Sequence, residues 1–421
     1  MNLEKGKVKT LSEFTMKEQL DYYSSGTFGC TFKKRTENNK KTRTIIKIQK
    51  YDDSAMREEN IGKRIRKIPK YQLYFAPILR TSLITIGEVD DEEIRKCEII
   101  TNEQSHDRKY ITNTMKYVGK YTLGEYVIHV FETRPKLFLR TFIGAYFDTL
   151  YDVNLLLQNG INHFDLKENN IIFDLNHKRP ILIDFGQSID ESLLNRSAWS
   201  DYFFTYGYDY PPWCFEIGVI GFGVNELGAD LEKEIVTAEQ VEKLCNNFTG
   251  SNPLFARVTP ENDHHHGDIY TEDEVAAYNK KLKDFLTPFI GTTWSALIEN
   301  LIHHKSTWDI YATHVIFLSL MFHVHIYEYN TATFPSIQNF IGKLKREVMA
   351  LPTERKSYTD ISQELMSDFG QTDRTEAEFL TMTISKASAD EQQIVEVKKR
   401  LNRMKLRELK REKQFYPSTV A

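Results

Sequence analysis

Apolar positions follow two periods along this chain, and they divide it into a strand-rich first part and a helical remainder. Up to about Val118 the apolar runs are short and β-branched. Thr44-Ile45-Ile46-Lys47-Ile48 has the composition of a buried strand with one lysine inside it. An ammonium in such a strand is costly unless a counter-charge meets it. Across 54–68 the period changes: Ile61, Ile65 and Ile68 recur at helical spacing. Glu58 precedes Ile61 by three and Ile65 by seven, so it shares their inward face, while Glu59 lies about 100° round. A polar, acidic stretch from Gly87 to Lys109 reads as a solvated loop. Phe138 to Asn159 predicts a long helix that stops at Asn159-Gly160. Helix signals return at Thr237 to Phe248 (Thr237-Ala238-Glu239 as cap, then Val241, Leu244 and Cys245) and at Glu272 to Leu286. Asp390 to Lys413 predicts one further helix, with Ile394, Val397, Leu401 and Met404 on one face and a strongly basic remainder.

Composition narrows the class. The chain has 421 residues, of which 41% are hydrophobic and 12% aromatic, enough for a sizeable core. The net charge of −4 gives no global pull toward nucleic acid or an anionic membrane. Cys30, Cys97, Cys214 and Cys245 are widely separated, which suggests no disulfide framework and a reducing compartment. The first residues lack the apolar core of a signal peptide, and no apolar run approaches the roughly 18–20 residues of a membrane span. The expectation is a soluble, intracellular, cytoplasmic protein. The turn 261–268 contains His264-His265-His266. Adjacent residues rarely converge on one ion, so a solvated turn is the better reading than a metal site.

The chemistry concentrates in two stretches. Ile161-Asn162-His163-Phe164-Asp165-Leu166-Lys167-Glu168-Asn169-Asn170 has the spacing H-x-D-L-K-x-x-N, and Asp184-Phe185-Gly186 follows. Together they resemble the catalytic loop and metal motif of the eukaryotic-type protein kinases. The resemblance extends upstream. Ser24-Ser25-Gly26-Thr27-Phe28-Gly29 resembles the glycine-rich turn over the ATP phosphates, with Ser24 where a first glycine usually stands. Tyr110 to Gly119 resembles the strand and hinge that hold adenine, with Met115 as gatekeeper and Lys116 to Val118 supplying backbone hydrogen bonds. Downstream, 306–317 resembles a buried family helix, with Asp309 as its anchor to the catalytic loop and His314 in place of a small glycine. Tyr208-Asp209-Tyr210-Pro211-Pro212-Trp213 occupies the place of the usual Ala-Pro-Glu, so Arg355 lacks its expected glutamate; Glu216 is the suggested substitute.

This resemblance implies an α+β, bilobal kinase-like fold. After a lead-in of 1–20 it places a small β-rich lobe at 21–118 and a larger, mostly helical lobe at 119–369. A long insertion occupies 214–305, before the buried helix, and a basic helical tail covers 370–421. It implies ATP and Mg²⁺ as cofactors. Asp165 would orient the acceptor hydroxyl, and Lys167 would offset charge on the moving phosphoryl group. Asn170 and Asp184 would ligate the cation. Lys47 would contact the α- and β-phosphates and pair with Glu58, while Ser24, Gly26, Phe28 and Gly29 would cover them. The Asp-Leu-Lys sequence resembles serine/threonine kinases, so the expected partner is a protein substrate. The places expected for a further partner are 214–305 or the basic tail; membrane and nucleic acid are not expected. Phe164 stands where many kinases carry an arginine for a phosphorylated activation loop, which implies activity without that phosphorylation despite acceptors at Ser188, Ser192, Ser197, Ser200 and Thr205. The divergent motifs are similar to those of kinases from large DNA viruses, which would place the enzyme in host cytoplasm or the virion. Two alternatives stand beside this reading: a pseudokinase scaffold that binds partners, and a small-molecule phosphotransferase on a kinase-like fold.

Overall fold

The structure, a computed structural model, describes residues 9–11, 13–14, 19–25, 29–34, 44–87, 91–102, 105, 107–255, 269–324 and 335–370. The fold is mixed α+β, with a six-stranded sheet in the N-terminal part and mostly helix after it. The chain divides into two units. One holds the described residues up to Lys120 together with Ile172–Ser188; the other holds Tyr121–Ile171 and the described residues from Ile189 onward. The basic tail expected from the sequence, together with His264, His265 and His266, lies outside the described residues, as do Gly26 and Phe28.

The sheet of the first unit is built from β1 (Lys9–Thr10), β2 (Leu20–Ser25), β3 (Gly29–Lys34), β4 (Thr44–Lys50), β5 (Ile78–Thr85) and β6 (Lys109–Lys116), in the order β1-β5-β6-β4-β3-β2. Pairing from β2 through β5 is antiparallel, and β1 joins β5 in parallel. Alternation of side chains places Ile46 and Ile48 in the core, while Lys47 and Gln49 project from the other face. The helix Asp53–Ile65 is capped by Asp52, whose side chain accepts from the Ala55 amide at 2.8 Å.

Two expectations fail in this unit. The stretch between Gly87 and Lys109 is not simply a solvated loop. It contains the short helices Glu92–Arg95 and Glu98–Thr101, and Ile94, Cys97 and Ile100 are buried in the same core as Phe32, Ile48 and Tyr110. Three apolar residues spaced by three supply a helical face that an acidic average conceals. Cys97 is also joined to Cys30 in a disulfide. The expectation of no disulfide, and with it the argument for a reducing compartment, is therefore corrected: a separation of 67 residues in sequence says nothing about distance once β3 and the helical stretch pack together. Cys214 and Cys245 are free and buried.

In the second unit the helix Trp308–His323 is buried along its whole length. Phe317 packs against Phe142 and Tyr146 of the long helix Phe138–Gln158, with ring centroids 5.3 and 5.2 Å apart. Tyr146 also meets Phe340 of the helix Pro335–Val348. The described residues of the stretch expected as an insertion include the helices Phe215–Phe222, Ala238–Ser251, Glu272–Leu286 and Trp294–Ile302. Thr237 with Gln240, and Thr271 with Glu274, form reciprocal capping boxes that fix two of the starts. Phe215, Phe248, Phe255 and Tyr278 bury this stretch against itself in a chain of aromatic contacts. Arg355 is paired with Glu216 through two bonds of 2.6 and 2.8 Å. Among the described residues no helix is long and apolar enough to cross a membrane.

Candidate functional site

Each unit gathers one set of the residues singled out by sequence. In the first unit the centre is Lys47. Its Nζ lies 3.1 Å from Asp184 Oδ1 and 3.5 Å from Glu58 Oε2. Burial works to lower the Lys47 pKa, but the Asp184 and Glu58 carboxylates outweigh it and hold the ammonium above its ordinary value. Burial pushes Glu58 up; the Lys47 charge pulls against this, and the Asp184 charge adds to it. Glu58 shares the buried face of its helix with Ile61 and Ile65, while Glu59 turns to Lys63 at 2.9 Å. Gln49, which the motif reading missed, donates to Glu58 Oε2 at 3.4 Å from the same face as Lys47. Its signal was available: it stands two residues from Lys47 in a strand.

Asp184 follows the strand Arg179–Leu182 and has φ of 59°, a left-handed conformation unusual for aspartate. Phe185 anchors it, with its ring edge-on to Phe75 at 6.2 Å. A Cβ at Gly186 would sit 3.5 Å from Asp184 Oδ1 and 3.8 Å from Glu58 Oε2, ordinary contact distances that place this residue beside the cluster. The other positions spread along the sheet. Ser24 sits opposite Thr31 next to an irregularity in the β2–β3 pairing. Gly29 is required by close approach: a Cβ there would meet the Ile48 carbonyl at 2.2 Å. Met115 is buried in β6 opposite Ile45, Lys116 ends that strand, and Val118 follows it in irregular backbone.

In the second unit the loop after the short strand Ile161–Asn162 is held from behind. The Asp309 carboxylate accepts from the His163 amide at 2.6 Å and from the Phe164 amide at 2.9 Å. Burial raises the Asp309 pKa, against the charge of His163 and those two amides. Phe164 has φ of 66°. Its ring sits among Phe203, Trp213 and Trp308, 5.5 to 6.0 Å between centroids, and its carbonyl accepts from Trp213 Nε1 at 2.8 Å. A residue held in this region needs surroundings that fix it, and the aromatic cage does so.

Asp165 is thereby presented with three donors. Its Oδ2 accepts from Asn170 Nδ2 at 3.0 Å and pairs with Lys167 Nζ at 3.1 Å; its Oδ1 accepts from the Tyr210 hydroxyl at 2.9 Å. Asn170 Nδ2 also donates to the Asp165 carbonyl at 2.9 Å. With its nitrogen used twice, Asn170 offers its carbonyl oxygen as the atom able to ligate a hard cation. Glu168 was not singled out by sequence. It accepts from the Gly124 amide at 3.1 Å and from Thr122 Oγ1 at 3.2 Å, and a Cβ at residue 124 would lie 2.2 Å from its carboxylate. Tyr210 was missed as well, because an aromatic residue in a divergent segment carries no motif.

The structure thus brings Lys47, Glu58 and Asp184 together in one unit and Asp165, Lys167 and Asn170 together in the other. The donors available for a cation are hard oxygens, which suit Mg²⁺. Among the described residues no group of three or more His, Cys, Asp or Glu is gathered as a metal-holding set. No protein-family model matches the chain, and a comparison with curated proteins finds no significant match.

Proposed function

We propose that the protein is an ATP-dependent serine/threonine protein kinase with a bilobal kinase-like fold, transferring the γ-phosphoryl group to protein hydroxyls. What supports this most is the meeting at Lys47: a strand lysine, a helix carboxylate 11 residues away and the Asp-Phe-Gly aspartate 137 residues away come to within 3.5 Å of one ammonium. A lysine kept charged between two carboxylates, on a flexible stem, supplies a compact positive charge of the kind that phosphate oxygens take up.

The reading assigns both clusters to one reaction. Lys47 binds the α- and β-phosphates. Ser24, Gly26, Phe28 and Gly29 cover them, and Met115, Lys116 and Val118 border the adenine. Asp165 orients the acceptor hydroxyl and takes up its proton, while Lys167 stands beside it to offset charge on the transferred group. Asn170 and Asp184 would hold Mg²⁺, which would supply positive charge to offset that of the phosphates. Phe164, caged by three aromatic rings, holds the loop without an arginine that would need a phosphorylated partner. The enzyme is accordingly proposed to be active without activation-loop phosphorylation.

The test is phosphate transfer to a serine/threonine peptide library and to the protein itself. Wild type, before and after phosphatase treatment, is compared with Asp165→Asn and Asp184→Ala. Transfer by both wild-type samples and none by the variants is expected. Nucleotide binding without transfer would favour the scaffold alternative. Transfer to sugars or amino alcohols in place of peptides would favour the small-molecule alternative.

A further inference from the structure

The Asp165 carboxylate carries more hydrogen bonds than the sequence motif explains. A carboxylate accepts at about four lone-pair positions. Lys167 and Asn170 fill those of Oδ2, at 3.1 and 3.0 Å. The Tyr210 hydroxyl fills one on Oδ1 at 2.9 Å. Among the described residues, that leaves a single acceptor position, on the same oxygen that Tyr210 already holds.

Tyr210 is not there by accident of a loose surface. Its ring packs edge-on to Trp213 at 5.0 Å, and the Trp213 indole N–H is fixed on the Phe164 carbonyl at 2.8 Å. Residues 210 and 213 therefore form a bracket from the divergent Tyr-Pro-Pro-Trp segment back onto the backbone next to Asp165. The phenol is 9% exposed, so its direction is set by packing rather than by solvent.

We propose that Tyr210 is a positioning residue of the acceptor site. Its hydroxyl fixes the Asp165 carboxylate so that the one remaining lone pair on Oδ1 receives the acceptor's hydroxyl proton. This rests on the kinase reading above and adds a regulator of its geometry to it. Lys167 and Asn170 alone grip one edge of the carboxylate and leave it free to swing about that edge; the phenol removes that freedom. A charge-assisted bond of this kind, lost at the reacting group, costs about ten- to hundredfold in rate.

The test is steady-state kinetics of the full chain with a serine peptide that wild type phosphorylates, comparing wild type with Tyr210→Phe. The variant keeps the ring and its contact with Trp213 and loses only the hydroxyl. The expected result is a fall in kcat of about ten- to hundredfold, with KM for ATP and the melting temperature unchanged. A kcat equal to wild type overturns the proposal. A fall in kcat that comes with a lowered melting temperature or a raised KM for ATP also overturns it, because the residue would then be structural. A second measurement covers the remaining possibility: phosphate found on Tyr210 by mass spectrometry would make its hydroxyl an acceptor and not a positioning group. If wild type itself transfers no phosphate to any peptide, the kinase reading falls, and this proposal with it.

Discussion

Arg355 and Glu216, in the helical unit, meet through two bonds of 2.6 and 2.8 Å with side chains only 2% and 0% exposed. Lys47, in the sheet-bearing unit, lies at 3.1 and 3.5 Å from two carboxylates, and the Asp184 side chain is 44% exposed. Both pairs join segments far apart in sequence, and both hold their cation above its ordinary pKa against burial. They differ in closure. A planar guanidinium matched to a carboxylate by two parallel bonds, and donating also to Thr307 Oγ1 at 3.3 Å, is held by groups of the fold itself. A point-charge ammonium shared between two acids, one of them open to solvent, can be redirected to phosphate oxygens. The first arrangement suits holding a fold, and the second suits meeting a ligand.

The largest test of this contrast breaks the closed pair. Glu216→Gln leaves the Arg355 guanidinium buried without a counter-charge. Removing one partner of such a pair typically costs about 3–5 kcal/mol. Chemical denaturation should show a loss of that order. The double variant Glu216→Leu with Arg355→Met should recover most of it, since neither charge is then buried alone. If Glu216→Gln melts like wild type, the pair is not a structural closure.

The open pair should fail in the opposite way. On the proposed kinase reading, Lys47→Met is expected to lower kcat on the order of 10²–10³-fold, the scale of losing one charged group aimed at the transferring phosphates. Its stability loss should be clearly smaller than that of Glu216→Gln. Glu58 retains Gln49 at 3.4 Å and is already pushed up by burial, so it can take a proton when Lys47 leaves. Asp184 is half open to water. Paired activity and melting measurements decide it: a Lys47→Met protein as destabilised as Glu216→Gln would erase the difference between the two pairs.

Why one of these pairs was easier to find in the sequence has a physical basis. Lys47, Asp165, Asn170 and Asp184 sit in short segments where local spacing is enough to name them. Glu58 was separable from Glu59 because Ile61 and Ile65 define which face of the helix turns inward. Glu216 emerged only by asking which acid could serve Arg355. The Cys30–Cys97 bond and the buried face of Ile94, Cys97 and Ile100 were not legible, because composition averages an acidic surface with the apolar stripe beneath it. Tyr210 and Glu168 act through tertiary contacts with no sequence period at all. The mixed α+β architecture was readable from the change of period. Two helices of 214–305 were readable, one of them with its cap at Thr237, but the cap at Thr271 and the chain of aromatic contacts were not.

The smallest test concerns a third buried group, close enough to the closed pair to feel its charge. His314 lies on the buried helix, 1% exposed, with Nδ1 hydrogen-bonded to the Tyr146 hydroxyl at 3.0 Å. Lys343, Glu347 and Glu364 line the small space beside it. Burial, helped by the Arg355 charge, pushes its pKa down from 6.5 to about 3. The unfolded chain therefore binds a proton near pH 6.5 that the folded chain refuses until about pH 3. In that window the unfolded state carries more protons, so stability falls as pH falls. At pH 5 this one group should have cost about 2 kcal/mol relative to pH 7. Glu347, raised by its own burial, works in the other direction over the acidic range, so the wild-type curve alone does not isolate the imidazole. Comparison with His314→Gln, which cannot titrate, does. The difference in unfolding free energy between wild type and variant should shrink as pH drops from 7 to 5. Parallel curves would mean that His314 is not held neutral, and that the interior around Arg355 is more open than its geometry implies.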